Sequence, residues 1–248
     1  MSVHIYSPLP KGLTHALFDA DDTLYPASSG FQSRLIVRLI RDLYRGKMRQ
    51  RDGRTPTDEA VRALSVFYYE AYGSAYVGLV REFGMTMEEI VDYVYHSGRL
   101  DYSALNPCEQ TRAGLEMLRY EHRLRLAILS NGTDVHVHMV LHAMNLTGLF
   151  GVVHGFNHNR FVPKPDPSTI ENTLWDMNAD ASQTIFIEDS LNNLRAGHSL
   201  GMGYSVFIGE HLTSQPENSD GMLGMWATTL PEALSAINEQ LTAFEKAA

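Results

Sequence analysis

Apolar residues in this chain fall into two kinds of run. Short unbroken stretches at 15–18, 124–129, 152–153, 184–187 and 204–208 suit strands buried on both faces. Between them lie longer stretches with helical spacing: 109–120, with Leu115 and Leu118 pointing inward, then 135–144, 168–177 and 191–200. Ser168 and Glu171 have the spacing of a capping box, and Gly201 stands where a helix should stop. Strands alternating with helices predict an α/β fold with a mainly parallel sheet. After a polar loop at 211–224, Ala233, Leu234, Ile237 and Leu241 predict a last helix over 231–244.

Residues 27–105 break this alternation. Phe31, Leu35, Leu39 and Leu43 recur every four residues, one face of a helix. Thr55-Pro56-Thr57-Asp58 reads as a cap followed by proline at the first helical position, and Thr86 with Glu89 reads as a capping box. The segment shows no clear strand. The pattern therefore predicts a Rossmann-like core, 1–26 with 106–248, and an all-helical cap, 27–105, inserted after the first strand. Doubly wound sheets bind ligands at the carboxyl ends of their strands, the end from which the insert leaves, so the cap is expected as a lid.

A chain of 248 residues, 44% hydrophobic, can bury such a core and carry a second domain. Its net charge of -9 argues against a nucleic-acid polymer as partner, because that surface needs positive charge. The basic cluster Arg45, Lys47, Arg49, Arg51 and Arg54 reads as a solvated helix end and loop. No run approaches the roughly 20 apolar residues of a membrane span, and the N-terminus lacks the apolar region of a secretory signal. No membrane partner and a cytoplasmic location are expected, as a monomer or homodimer. Cys108, the single cysteine, can form no internal disulfide and reads as an idle thiol. His136, His138 and His142 lack a third ligand, so they read as a polar helix face rather than a zinc site.

The chemistry concentrates at strand ends. Asp19, Asp21 and Asp22 follow the apolar run 15–18, and three carboxylates so close repel one another unless a cation or hydrogen bonds hold them. Glu188 and Asp189 end the run 184–187 in the same way. Two acidic strand ends in one parallel sheet make an oxygen-ligand cation site suited to Mg2+. Ser130-Asn131-Gly132 supplies a hydroxyl and backbone N–H groups for an anion, and Lys164 stands between two prolines.

These pieces, in this order, resemble the haloacid dehalogenase superfamily of phosphohydrolases across roughly residues 15–210. Its Asp-x-Asp-x-Thr motif is matched by Asp19, Asp21 and Thr23, its Ser or Thr by Ser130, and its Lys by Lys164. Its acidic pair followed by Ser and Asn is matched by Glu188, Asp189, Ser190 and Asn193. The resemblance implies that Asp19 attacks phosphorus to form an aspartyl-phosphate and that Asp21 serves as acid, then base. Ser130 and Lys164 would hold phosphoryl oxygens, and Thr23, Asn131 and Gly132 would line the substrate. Asp19, the Asp21 carbonyl and Asp189 would bind magnesium, with Glu188 in direct contact or one shell out. Dehalogenases of the superfamily lack the acid matched by Asp21.

Within the insert, Tyr68 to Gly73, Gly78-Leu79, Val94 to His96 and Leu100 to Tyr102 resemble the pyrimidine 5'-nucleotidase branch. That likeness implies a small phosphorylated metabolite, a nucleoside 5'-monophosphate, as substrate. Three departures leave base preference open: this branch commonly has Thr-Asn-Ala at 130–132, Asp at 188, and a small-polar stretch where Ser74-Ala75-Tyr76 stands here. The Glu-Asp pair also occurs in β-phosphoglucomutase-like members, so a sugar phosphate is an alternative; a non-catalytic binding module is another. Among the aromatic residues Phe67, Tyr68, Tyr69, Tyr72 and Tyr76, helical spacing favours cap packing, with Tyr72 as a candidate base contact.

Overall fold

The computed structural model describes residues 3–246. Seven strands form one sheet: β1 (Val3–Ile5), β2 (His15–Phe18), β3 (Arg125–Leu129), β4 (Val152–His154), β5 (Thr184–Glu188), β6 (Tyr204–Ile208) and β7 (Met225–Ala227). Their order is β1-β7-β6-β5-β2-β3-β4. β2 pairs in parallel with both β3 and β5, whereas β1 lies antiparallel on β7. The five apolar runs thus become β2 to β6. β1 and β7 are additions, so the helical insert follows the second strand of the chain, not the first. At three residues each they are too short for an alternation to register, and β1 is not fully buried on either face.

Every residue of β2, β5 and β6 is buried, which accounts for their unbroken apolar sequence. On one side Leu17, Leu129, Phe186 and Phe207 pack with Ile170 and Leu174 of the helix Pro167–Met177 and Leu194 of the helix Leu191–Ser199. Each such side chain contributes about 1.5 to 3 kcal/mol on leaving water. The helices Glu109–Glu116 and Leu230–Lys246 are joined by Asn238, whose Nδ2 donates to the Gly114 carbonyl at 3.1 Å.

Helix starts differ from two expectations. Pro167–Met177 is capped by Asp166, whose carboxylate accepts from the Ser168 N–H at 3.0 Å; Ser168 is not the cap. Pro167 occupies the first turn, where its missing N–H loses nothing. Thr57, not Thr55, caps Asp58–Tyr72. At Thr86 the expected capping box forms, with Glu89 N–H donating to the Thr86 hydroxyl at 3.2 Å and Thr86 N–H to the Glu89 carboxylate at 2.8 Å.

The described residues cluster into two compact units. One runs to Ser29 and resumes at Leu105; the other is Gly30–Ala104. The second is helical, with Val37–Asp52, Asp58–Tyr72, Tyr76–Phe83 and Met87–Val91 around a core that includes Leu39, Tyr44, Val61, Leu79, Ile90 and Val94. The Tyr44 hydroxyl donates to the Ala75 carbonyl at 2.5 Å, and Tyr76 and Tyr95 share a hydroxyl–hydroxyl bond at 2.7 Å. Of the aromatic group, Tyr68 and Tyr76 are buried, whereas Phe67, Tyr69 and Tyr72 are exposed, so only part of it packs the core. In the basic cluster, Arg45 bonds Asp42 and Asp58, and Arg51 bonds Asp52. No helix among the described residues is long and apolar enough to cross a membrane.

Candidate active site

The register fixes which residues meet. Phe18 is level with Ile128 of β3 and Ile187 of β5, so the residues immediately beyond, Asp19, Ser130, Glu188 and Asp189, emerge at one edge of the sheet. The loop after β4 brings Lys164 to the same edge. Asp19 N–H donates to the Ile187 carbonyl at 2.9 Å, extending the ladder by one bond and fixing the nucleophile candidate against β5.

Lys164 is the cation at the centre. Its side chain is 1% exposed, and Nζ donates to Asp19 Oδ1 at 2.6 Å, the Leu129 carbonyl at 2.7 Å and Glu188 Oε1 at 2.7 Å. An ammonium has three N–H donors, so all are used. Burial alone would lower its pKa; Asp19 and Glu188 outweigh that and raise it, so the group stays charged. Its main chain is clamped as well. Asn131 Oδ1 accepts from Lys164 N–H at 2.8 Å, and Asn131 Nδ2 donates to the Lys164 carbonyl at 3.0 Å. The Asn131 amide, expected to line the substrate, is thereby engaged in holding the lysine.

Glu188 is fully buried and its oxygens are committed. Oε1 accepts from Lys164 and from Asn193 Nδ2 at 2.5 Å, and Oε2 from Ser190 N–H at 2.6 Å. It stands behind the site, orienting Lys164. Ser130 is buried, and its Oγ accepts from Gly132 N–H at 2.9 Å, which shapes the turn after β3.

Asp21 is bound on both sides. Its Oδ1 accepts from the Tyr25 hydroxyl at 2.5 Å and lies 2.8 Å from His136 Nε2. Burial alone would raise its pKa; His136, through charge and hydrogen bond, and Tyr25 outweigh that and hold the carboxyl below its ordinary value. An ionised carboxylate only accepts, so Nε2 of His136 carries the shared proton. His136 therefore corrects the polar-face expectation: it is wholly buried, while His138 and His142 are exposed. Gly132 makes room for it, since a Cβ there would lie 2.4 Å from His136 Cδ2. The signal for His136 was positional: Thr133 caps the helix Asp134–Ala143 at the sheet's carboxyl edge, and His136 is in its first turn.

The remaining acids are overcrowded. Asp19, Glu188 and Asp189 each offer an oxygen within 4.8 Å of the others. At an effective dielectric near 20, each pair of charges so placed repels by at least about 3 kcal/mol. Desolvation first, then Glu188 and Asp21, raise Asp19 to about 7 despite Lys164. Asp22 is likewise raised to about 7 by burial and by Asp21 and Glu210, and burial with Glu188 and Asp19 drives Asp189 well above its ordinary value. Among the described residues, Asp22 Oδ1 and Thr23 Oγ1 are buried without a hydrogen-bond partner. A hard divalent cation suits this set: all its donors are oxygens, their charge exceeds that of the one ammonium, and magnesium favours such ligands.

Tyr72 belongs to the helical unit. Its ring stacks on Tyr68 at 5.8 Å and lies under Arg81, whose Nη1 donates to the Tyr72 hydroxyl at 2.7 Å. Cys108 is half-buried just before Glu109–Glu116, its thiol near Gln110.

Comparison with known proteins agrees with this fold. The chain is 25% identical over 216 residues to Phosphate metabolism protein 8 of Saccharomyces cerevisiae, covering 81% of this chain and 63% of that protein's length. Among solved structures, a HAD phosphatase from Thermococcus onnurineus superposes with a TM-score of 0.61 at 21% identity, covering 91% of this chain and 98% of that one. A putative beta-phosphoglucomutase from Thermotoga maritima gives 0.61 at 17% identity, covering 92% and 99%. L-2-haloacid dehalogenases share the same fold. The model of the haloacid dehalogenase-like hydrolases matches residues 16–207, most of the chain and all of the strand-end constellation, and the chain belongs to that family.

Proposed function

We propose that this hydrolase is a magnesium-dependent phosphatase that cleaves a small phosphate monoester through an aspartyl-phosphate on Asp19. The observation that carries the reading is Asp21, a half-buried carboxyl two residues past Asp19 and held by both Tyr25 and His136. Displacing an alkoxide from phosphorus needs a proton donor at the leaving oxygen, whereas expelling a halide does not, so a fixed carboxyl here favours phosphatase over dehalogenase chemistry. The yeast relative is named for phosphate metabolism, which agrees.

In this reading an Asp19 carboxylate oxygen attacks phosphorus, the bond to the ester oxygen breaks, and that oxygen takes the proton of Asp21 and departs as an alcohol. Asp21 is ionised at rest; the arriving phosphate, itself negative, raises its proton affinity, so Asp21 takes up a proton from solvent on binding and returns it when inorganic phosphate leaves. Asp21 then receives a proton from the water that attacks phosphorus, releasing inorganic phosphate and restoring Asp19. Lys164 holds Asp19 in position and balances charge on the phosphoryl oxygens, and the Ser130 hydroxyl with the Asn131 N–H binds one of them. Asp19, Asp189 and the Asp21 carbonyl would hold magnesium, which supplies the charge that lets an anion approach a phosphate. Glu188 supports them through Lys164.

A pyrimidine nucleoside 5'-monophosphate is the substrate favoured by the likeness of 68–73, 78–79, 94–96 and 100–102 to that nucleotidase branch. Phosphate release from nucleoside monophosphates, sugar phosphates and phosphoglycolate, with and without Mg2+, tests the reading. Mg2+-dependent turnover that disappears in Asp19→Asn is expected; equal turnover by native protein and Asp19→Asn overturns it.

A further inference from the structure

A second cluster lies elsewhere in the same unit, at the end of β4. His154 closes that strand and is buried; His158 follows in the loop, and Asp176 belongs to Pro167–Met177; both are exposed. The two imidazoles stack face to face, 3.5 Å between centroids and 13° between planes, so their in-plane lone pairs run side by side and a shared ion requires the exposed His158 ring to turn about its Cβ–Cγ bond. Each presents Nε2 to the same carboxylate oxygen, Asp176 Oδ2, and both distances are 3.3 Å. All three ligand atoms lie within 4.8 Å of one another. In a tetrahedral site with metal–ligand bonds of about 2.0 to 2.1 Å, adjacent ligand atoms are separated by about 3.3 Å. The spacing from His154 to His158 is also the His-x3-His of many zinc sites.

The hydrogen-bond network gives a second, independent reason. Thr173 Oγ1 donates its one hydrogen to the Thr169 carbonyl at 2.9 Å. The 3.1 Å contact between Thr173 Oγ1 and His154 Nδ1 therefore needs the proton on Nδ1. In the neutral ring, Nε2 then carries a lone pair, and that lone pair faces the Asp176 carboxylate with no proton between them. A second proton would make a buried imidazolium stacked on another histidine. A cation on the lone pair removes the conflict, and an Nδ1–H held by a neighbour is the arrangement that orients a metal-binding histidine.

We propose that His154 Nε2, His158 Nε2 and the Asp176 carboxylate form a site for zinc or a similar late first-row divalent ion. Two imidazoles and one carboxylate favour such an ion over magnesium, which prefers oxygen throughout. Three protein ligands leave a fourth position for water. Bound there, the ion ties the end of β4 to the helix Pro167–Met177 across the loop that carries Lys164. The loop start is already fastened, since Asp134 accepts from Gly155 N–H at 2.5 Å and bonds Asn157 through its other oxygen at 2.7 Å. The ion would close the remainder. This site does not depend on the phosphatase reading.

The test is zinc binding by the full chain with Mg2+ in large excess, so that the oxygen-ligand site is filled. One equivalent of Zn2+ should bind, X-ray absorption should show two imidazole nitrogens around it, and the thermal midpoint should rise. His158→Ala and Asp176→Asn, both on exposed positions, should each weaken binding by more than about tenfold, with native circular dichroism retained. No zinc bound under excess Mg2+, an all-oxygen shell around it, or unchanged affinity in both variants would overturn the proposal. The absorption measurement uses native protein alone, so it decides the matter even where a variant fails to fold.

Discussion

Replacing Lys164 by methionine keeps the length of the side chain and removes the charge from the centre of the site. Lys164 Nζ makes three hydrogen bonds of 2.6 to 2.7 Å, two of them to the buried carboxylates of Asp19 and Glu188. Without it those carboxylates face each other and Asp189 with no ammonium, and breaking a buried pair in this way destabilises by about 3 to 5 kcal/mol. The penalty should depend on pH with a definite sign. Lys164, with its pKa raised, is charged throughout pH 5 to 8, so the dependence comes from the acids. Asp19 in the folded protein sits at about 7, above its ordinary value, so the native state holds more protons than the unfolded state, and stability falls as pH rises through that range. Removing Lys164 raises Asp19 further. Urea unfolding without Mg2+ should therefore show the larger difference between native and Lys164→Met at pH 8, and a smaller one at pH 5, where Asp19 is protonated. A loss at pH 8 under about 1 kcal/mol, the worth of an exposed ion pair, would refute the placement of Lys164 as buried counter-ion. So would an equal loss at both pH values.

Three further outcomes follow from the same geometry. Mg2+ should raise the thermal midpoint more at pH 8 than at pH 5, because at pH 5 it must displace the proton of Asp19, which sits at about 7; equal increments would contradict the oxygen-ligand site. Asp21→Asn should lower kcat by roughly 10²- to 10⁴-fold, the usual contribution of a general acid, with a smaller change in KM; His136→Gln should move the activity limb set by Asp21 to higher pH, since His136 holds that carboxyl down, and an unmoved limb would count against it. Gly132→Ala should reproduce part of the His136 defect, because the new methyl would lie 2.4 Å from His136 Cδ2; a pH profile identical to native would show that the ring has room to move.

The central sheet was legible because β2 to β6 are buried on both faces and so appear as apolar runs bounded by charge. β1 and β7 were not, because three residues carry no usable period. The helix cap at Asp166 was legible in principle from Asp-Pro at a helix start, but Ser168 and Glu171 offered a competing capping-box spacing. The acids and Lys164 could be read because each lies directly after an apolar run or between prolines. His136 was legible only in part: its place in the first turn after a strand end set it at the right edge, but that its ring turns inward to reach Asp21, over the space Gly132 leaves, is visible only in the packing. Asn131 and Glu188 show the same limit. Their residue types suggest ligand and metal contacts; their bonds to Lys164 show that each also holds the lysine, a role visible only in three dimensions.

The most direct measurement mixes the Asp21→Asn protein with an activated aryl phosphate, whose leaving group departs without a proton donor, and Mg2+, quenches in acid within one turnover, and maps the covalent phosphate by peptide mass spectrometry. The account predicts a hydroxylamine-labile phosphoryl group on the peptide containing Asp19. A phosphoryl group on Ser130 or His136 instead, or turnover by the native protein through no covalent phosphate at all, would contradict it.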